Sequence, residues 1–375
     1  MIYLDYSANT PVDARVLEQF CAVERRCIGN ANSHHQAGSA AKAEIDAATI
    51  KIASLLGVQP AEIIYTSGAS EANNFALKGL ARLSRHAGRH IISTPLEHSS
   101  VSGTLTALQE QGYEIDLLDV KQDGTVDLEH LKDLLRPDTI CVAVTLVDSE
   151  LGVVQPVQEI AAILKVYPHC HLHVDATQAV GKIPVSFEGV DTMSLTAHKF
   201  YGLNGIGLLI KRRNLALEPL IHGGESTTIY RSGTPTVALA SSLACALDLA
   251  VTDLPGRVDH VAKLNAELRA ALSTYPLVRI NSPDHAIPHV LNLSVRNVKG
   301  TVFQRELDAK GVCVSVKSAC SSDGLPSRAV FAVSRDRRNA LSSWRISLSH
   351  LTTEDEIKAF LQAFDVCYRE LTAVH

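Results

Sequence analysis

The chain has 375 residues, 46% of them hydrophobic and 20% charged, with a formal net charge of −5 and a pI near 6.3. At roughly 100–200 residues per domain that length predicts two domains, each with room for a core. The charge balance argues against nucleic acid as a partner, and the longest uncharged run, the 16 residues from Ser232 to Leu247, is too short and polar to span a bilayer.

The N-terminus, Met1 to Asp5, lacks the basic and apolar regions of a secretory signal. Eight Cys scattered singly read as reduced thiols, which predicts a cytoplasmic protein. In chain order, Ala41, Ile45, Ala48, Ile52 and Leu55 fall at helical spacing, and Gly57 supplies a stop. Short β-rich runs follow at Glu62–Thr66, His90–Ser93, Ile140–Thr145 and His171–Asp175. Between them lie helical faces, one carrying Ala72, Phe75, Ala76, Gly79, Leu80 and Leu83, another carrying Val157, Ile160, Ala161 and Leu164 after Pro156. Alternation of apolar strands with helices predicts crossover units and a mainly parallel sheet, an α/β fold. That unit runs to about Leu254-Pro255-Gly256. A long amphipathic helix through Val258, Val261, Leu268 and Leu272 comes next, then strands Val290–Ser294 and Trp344–Ser347 and a helix through Ile357, Phe360, Leu361, Phe364 and Leu371. These predict a smaller α+β domain. The run from Arg335 to Arg338 reads as a solvated loop.

In an open parallel sheet ligands bind where strands end and helices begin. Thr66-Ser-Gly-Ala-Ser70 follows a strand and opens a helix, so small residues and a helix N-terminus could cradle an anion. Asp175 ends an apolar strand, where a carboxylate either caps a helix or faces a cation in the cleft. Lys199 follows the β-like run Thr192–Thr196 and precedes Gly202, Gly205 and Gly207. An amine at a strand end beside His198 is a candidate nucleophile, because desolvation and a nearby cation lower its pKa. A lysine for a Schiff base, an aspartate for a pyridinium proton and a phosphate cradle together suit pyridoxal 5'-phosphate (PLP). His169, His171 and His173 alternate along one strand, but no carboxylate or cysteine at suitable spacing completes a metal site. No metal is expected.

From Tyr3 to about Tyr368 the sequence resembles the NifS/IscS-like cysteine desulfurases of the class-V aminotransferase superfamily. The blocks that carry the resemblance are Tyr3-Leu-Asp-Tyr-Ser-Ala8, Thr66-Ser-Gly-Ala-Ser-Glu-Ala-Asn-Asn74, Glu97-His98, Gly152-Val-Val-Gln155, His173-Val-Asp-Ala-Thr-Gln178, His198-Lys199, Arg231-Ser-Gly-Thr234 and Ser318-Ala-Cys320. The resemblance implies a large PLP-binding domain over residues 16–255, with a mainly parallel seven-stranded-type sheet flanked by helices. It implies a small domain over 256–375 that carries the Cys320 loop and is joined by an N-terminal segment, residues 1–15. It further implies that Lys199 binds PLP and moves the substrate α-proton, that Asp175 pairs with the pyridinium nitrogen, and that His98 stacks on the ring and assists proton transfer. Gln178 would bond the phenolic oxygen, with Ser149 nearby. Phosphate would be held by Ala69, Ser70, Thr196 and His198, and by Thr234 from the second subunit of a homodimer. Arg345 would bind the carboxylate of L-cysteine, and Cys320 would attack its sulfur. Alanine and a Cys320 persulfide, destined for a sulfur-acceptor protein, would result.

Four stretches depart from the family pattern. Ser149 stands where an Asn is usual, Gly223-Gly-Glu-Ser-Thr-Thr228 replaces a Gly-rich Glu-Arg stretch, Lys317 replaces a Gly before Cys320, and His350 ends Ser347-Leu-Ser-His350 in place of an Arg. All lie toward the substrate side. The alternative they leave open is another class-V PLP enzyme, a lyase or aminotransferase on a related amino acid. Lys317, three residues before Cys320, could lower its thiol pKa if the side chains approach. A cofactor-free scaffold for sulfur carriers would need neither Lys199 nor Asp175.

Overall fold

The computed structural model describes residues 1–224, 228–317 and 325–373. β1 (Ile2–Tyr3), α1 (Ala14–Arg26) and α2 (Gln36–Leu56) open the chain. The central sheet is built from β2 (Ile63–Thr66), β3 (His90–Ser93), β4 (Glu114–Leu117), β5 (Thr139–Thr145), β6 (His171–Asp175), β7 (Thr192–Thr196) and β8 (Gly207–Lys211). Its connections hold α3 (Ala69–Leu83), α4 (Ser99–Gln109), α5 (Leu128–Leu134) and α6 (Val157–Leu164). Next come α7 (Val237–Thr252), α8 (Leu254–Leu272), β9 (Val278–Ile280), β10 (Val290–Val295), α9 (Gly300–Ala309) and β11 (Val312–Cys313). Short helices α10 (Arg328–Ser334) and α11 (Arg337–Ser342), then β12 (Ser343–Ser347) and α12 (Glu354–Thr372), complete the described fold.

Helix α2 shows how the pattern becomes structure. Ala41, Ile45, Ala48 and Ile52 are buried one turn apart, and Gly57 ends the helix in the left-handed conformation at φ 66°. A side chain there would be strained, so glycine fits. β5 is buried along its whole length, as expected for a strand covered on both faces. The seven strands lie in the order β2-β8-β7-β6-β5-β3-β4. All neighbours are parallel except β8, which runs antiparallel to both β2 and β7. The C-terminal ends of β3, β5, β6 and β7 therefore share one edge, where α3 and α4 begin.

A second apolar core joins Val261, Leu264 and Leu268 of α8 with Phe303, Trp344, Phe360 and Phe364, and Leu4 is buried within it. β1 pairs in parallel with β11, which ties the N-terminus to this core. The following residues cross to the central sheet, where Thr10 N donates to the carbonyl of His198 at 3.0 Å. The segment from Arg335 to Arg338 is solvated, but only its first two residues lie outside a helix. Arg335 ends α10 at φ 52°, and the carboxylate of Asp336 caps α11 by accepting from the amides of Arg338 and Asn339. Asp336 is a preferred N-cap residue, and only the two capping residues, Arg335 and Asp336, separate the helices. Among the described residues, no single helix is long and apolar enough to cross a membrane.

Candidate active site

At the shared edge of β5, β6 and β7 lies a cavity of about 350 Å³. Asp175, Lys199, His98, Gln178, Arg345, Ser149, Thr196, His198, Ala69 and Ser70 all line it, so positions spread from 69 to 345 converge.

The strand-end wall is held by a buried polar network. Asp175, the last residue of β6, accepts from the amide of Thr177 at 2.9 Å and from Asn73 Nδ2 at 2.8 Å. Asn73 comes from α3 and is fully buried; its Oδ1 accepts from His173 Nε2 at 3.0 Å and from Ser194 Oγ at 2.5 Å. An amide oxygen only accepts, so His173 carries its proton on Nε2, and burial holds its pKa down at about 4. His98 caps α4, its Nδ1 accepting from Ser100 N at 3.1 Å, which leaves Nε2 as the protonated nitrogen of the neutral ring. Burial lowers the pKa of this ring too. His198, beside Lys199, is pushed down to about 4 by burial and by that lysine.

Lys199 sits in a 3-10 turn just after β7, and its Nζ donates to the carbonyls of Ser7 at 2.8 Å and Ala8 at 2.6 Å. The N-terminal segment thus orients the amine. On the cradle side, β8 begins hard against the turn that opens α3. A Cβ on Gly207 would lie 2.6 Å from the carbonyl oxygen of Leu195 and 2.7 Å from Gly68 Cα, so only glycine fits. Ser67, Gly68, Ala69 and Ser70 then line the cavity at the N-terminus of a 15-residue helix. That is a favourable place for an anion.

The opposite wall is assembled from distant parts of the chain. The guanidinium of Arg345, on β12, donates to Asp5 Oδ1 at 2.9 Å and to the carbonyl of Ser149 at 2.7 Å. Asp5 in turn accepts from Ser315 Oγ at 2.8 Å. Arg345 Nε remains buried without a partner among the described residues. Gln178 Nε2 donates to the carbonyl of Ser7 at 2.9 Å.

Thr234 does not line the central cavity; it lines a neighbouring pocket of about 250 Å³ with Tyr65, Thr66, Ser67 and Arg231. Cys320 lies outside the described residues. Lys317 lines a pocket of about 310 Å³ that shares Leu96, His98 and Ser149 with the central cavity, and its Nζ donates to the carbonyl of Leu325 at 3.2 Å. Sequence reasoning assigned no role to Asn73, Asp5 or Lys182. The first two lie inside the matched blocks. For Asn73 the signal was a polar residue at a position that the helical pattern would bury.

The class-V aminotransferase family model matches residues 2–360. The chain belongs to this family. Among class-V aminotransferase relatives, the cysteine desulfurase IscS of Proteus mirabilis is 40% identical over 365 residues, spanning 95% of this chain and 90% of that protein. A solved structure of a NifS-like protein superposes with a TM-score of 0.91 at 36% identity, covering 97% of this chain and 98% of that one. A solved structure of SspA in complex with cysteine aligns with a TM-score of 0.83 at 30% identity, covering 94% of this chain and 100% of that one. The class-V fold of this chain is therefore that of the NifS/IscS-like members, with a mainly parallel central sheet flanked by helices.

Proposed function

We propose that the chain is a PLP-dependent L-cysteine desulfurase that acts as a homodimer and passes sulfur to an acceptor protein. The observation that carries this reading is one cavity in which an amine, Lys199, and a buried carboxylate, Asp175, flank a small-residue cradle at a helix N-terminus. The residues present fit PLP. Ser7 Oγ, Thr177 Oγ1 and Arg345 Nε, all on residues of the wall, are buried and lack partners among the described residues, so the wall has polar capacity to spare.

When bound, the cofactor supplies an electron-withdrawing ring that stabilises negative charge on the substrate α-carbon. Lys199 Nζ would hold the cofactor's aldehyde carbon and carry the α-proton. Asp175, fixed by Asn73 and Thr177, would keep a proton on the ring nitrogen. The cradle at Ala69 and Ser70, with Thr196 and His198, would hold the phosphate, and Thr234 of each chain would complete the site of the other. His98, neutral with its proton on Nε2, would face the ring and serve proton transfer. Arg345 would take the substrate carboxylate. Cys320, as thiolate, would form an S–S bond to the substrate sulfur while the Cβ–S bond breaks. The electron pair stays on Cβ, which takes a proton to give L-alanine and leaves a persulfide on Cys320.

The apolar core that joins Leu4 to residues 261–367, apart from the clusters that cover the central sheet, supports reading 16–255 and 256–375 as separate domains with 1–15 packed on the second. The scattered reduced cysteines support a cytoplasmic location. The test is direct: the purified protein should be yellow, borohydride should fix the cofactor on Lys199, and cysteine plus a thiol reductant should release sulfide and alanine. Cys320→Ser should keep the cofactor and its spectrum while losing persulfide formation. Keto-acid formation without sulfide release would replace this reading with the aminotransferase one.

A further inference from the structure

Lys182 is a second lysine at the edge of the active site. Its side chain is almost wholly buried, yet no carboxylate among the described residues pairs with it. Its one hydrogen-bond partner among them is Gln178 Oε1, at 2.5 Å. Gln178 in turn donates from Nε2 to the carbonyl of Ser7, the same carbonyl that accepts from Lys199 Nζ. A continuous chain of polar contacts therefore runs from Lys182 through Gln178 and Ser7 to Lys199.

The two ends of a glutamine amide are almost the same shape, so packing alone does not decide which one faces the cavity. An ammonium decides it, because it only donates. A reversed amide would set two N–H groups against a cation on one side and bring Oε1 against the Ser7 carbonyl on the other. We propose that Lys182 is a positioning residue for Gln178: it holds the amide oxygen on its own side and so turns the amide nitrogen toward Ser7 and the cavity. Only one Nε2–H is used by Ser7, and the second has no partner among the described residues. That leaves a donor on the cavity wall.

The device is sensitive to the charge on Lys182. Burial, with Lys199 and Arg345 nearby, brings its pKa down to about 7. His289 faces it as well and is itself kept neutral, pushed down to about 3 by burial and by Lys182. As a neutral amine Lys182 can accept as well as donate, and its hold on the amide weakens. The geometry stands on its own; the consequence for turnover rests on the desulfurase reading.

The experiment has two arms. In apo-protein labelled with side-chain 15N-glutamine, the Gln178 amide resonances, identified by their loss in Gln178→Ala, should shift with a midpoint near pH 7. They should stay flat in Lys182→Met, and also in Lys182→Arg, which is a cation throughout. In the holoenzyme Lys182→Met should lower kcat/KM roughly tenfold, the scale of one charge-assisted hydrogen bond. Lys182→Arg should recover most of that loss, and the Lys182→Met/Gln178→Ala double variant should match Gln178→Ala alone. Lys182→Gln serves in both arms if the methionine variant does not fold. Parent Gln178 resonances that ignore pH across neutrality, or additive losses in the double variant, would overturn the proposal. Failure of the desulfurase reading would be seen separately, as a parent enzyme that releases no sulfide while the apo-protein titration persists.

Discussion

Asp175, Thr145 and Thr196 stand at the ends of adjacent strands, and the partners that fix Asp175 come from its own turn and from α3. On the facing wall, Asp5 and Arg345 meet across 340 residues of sequence, with Ser149 and Ser315 arriving from two further segments. The first wall is a consequence of sheet topology, since parallel strands bring their carboxyl ends to one edge. The second exists only once the N-terminal segment and β12 have packed together. Changes on the strand-end wall should therefore act on cofactor and chemistry, and changes on the facing wall should act on folding and substrate affinity together.

The largest expected effect is on the assembled wall. Asp5→Ala leaves the guanidinium of Arg345, whose side chain is only 2% exposed, without its carboxylate. An unpaired buried charge of this kind costs about 3–5 kcal/mol. Urea unfolding should show that loss, and KM for cysteine should rise more than kcat falls. A variant as stable as the parent would mean that the wall does not depend on the Asp5 contact.

Asp175→Asn preserves the shape of the strand end and removes its charge. We expect kcat to fall by roughly 10²–10³-fold, the scale of one lost electrostatic partner at a reacting centre, with the urea midpoint little changed. A fall in stability without a fall in kcat would invert the contrast between the walls.

Gly207→Ala tests the cradle. Its Cβ would meet backbone atoms 2.6 Å and 2.7 Å away, so β8 or the Gly68 turn must move. Overpacking of this sort costs about 1–3 kcal/mol, and cofactor affinity, followed by fluorescence on dilution, should drop with it.

Glu97 sharpens the comparison through pH. Burial pushes its carboxyl up to about 8, far above its value in an unfolded chain. The folded state therefore binds a proton that the unfolded state releases, and the resulting stability is fully present at acid pH and lost as pH rises toward 8. One proton gives a slope of about 1.4 kcal/mol per pH unit. In Glu97→Gln the unfolding free energy should fall less steeply with pH by that amount, and an identical slope in parent and variant would exclude Glu97 as the source.

Lys317→Gly should matter least to the fold. Among the described residues it removes a hydrogen bond to the carbonyl of Leu325, worth about 1 kcal/mol or less. If the cation also acts on Cys320, the pH midpoint of Cys320 alkylation should rise in this variant, and an unchanged midpoint would discard that electrostatic link.

The parts of the fold legible in the sequence were those with strong local periodicity. The buried strands β3, β5 and β6 and the helices α2, α3, α6 and α12 all show in the spacing of their apolar residues. β4 gave no such signal, because it is an edge strand whose outer residues, Glu114 and Leu117, face solvent. α7 read only as an uncharged run: so many of its residues are buried, from Val237 to Ala250, that no polar face marks a period. The corner at Arg335 looked like a loop, since a charged run carries no sign of a left-handed residue followed by a cap.

For the site, residue type and order alone suggested Lys199, Asp175 and the cradle, because each follows a strand and opens a turn or helix, whereas His98 came from the family resemblance. Family resemblance gave Arg345 and Cys320 their expected roles. Sequence could not show that Asp5 would hold Arg345, that Asn73 would join Asp175 to His173, or that Lys182 would fix the amide of Gln178. Those contacts link residues on different elements, and whether a buried polar group finds its partner is settled by how the elements pack. Periodicity reports which side of a strand or helix avoids water; only the tertiary structure decides what that side meets.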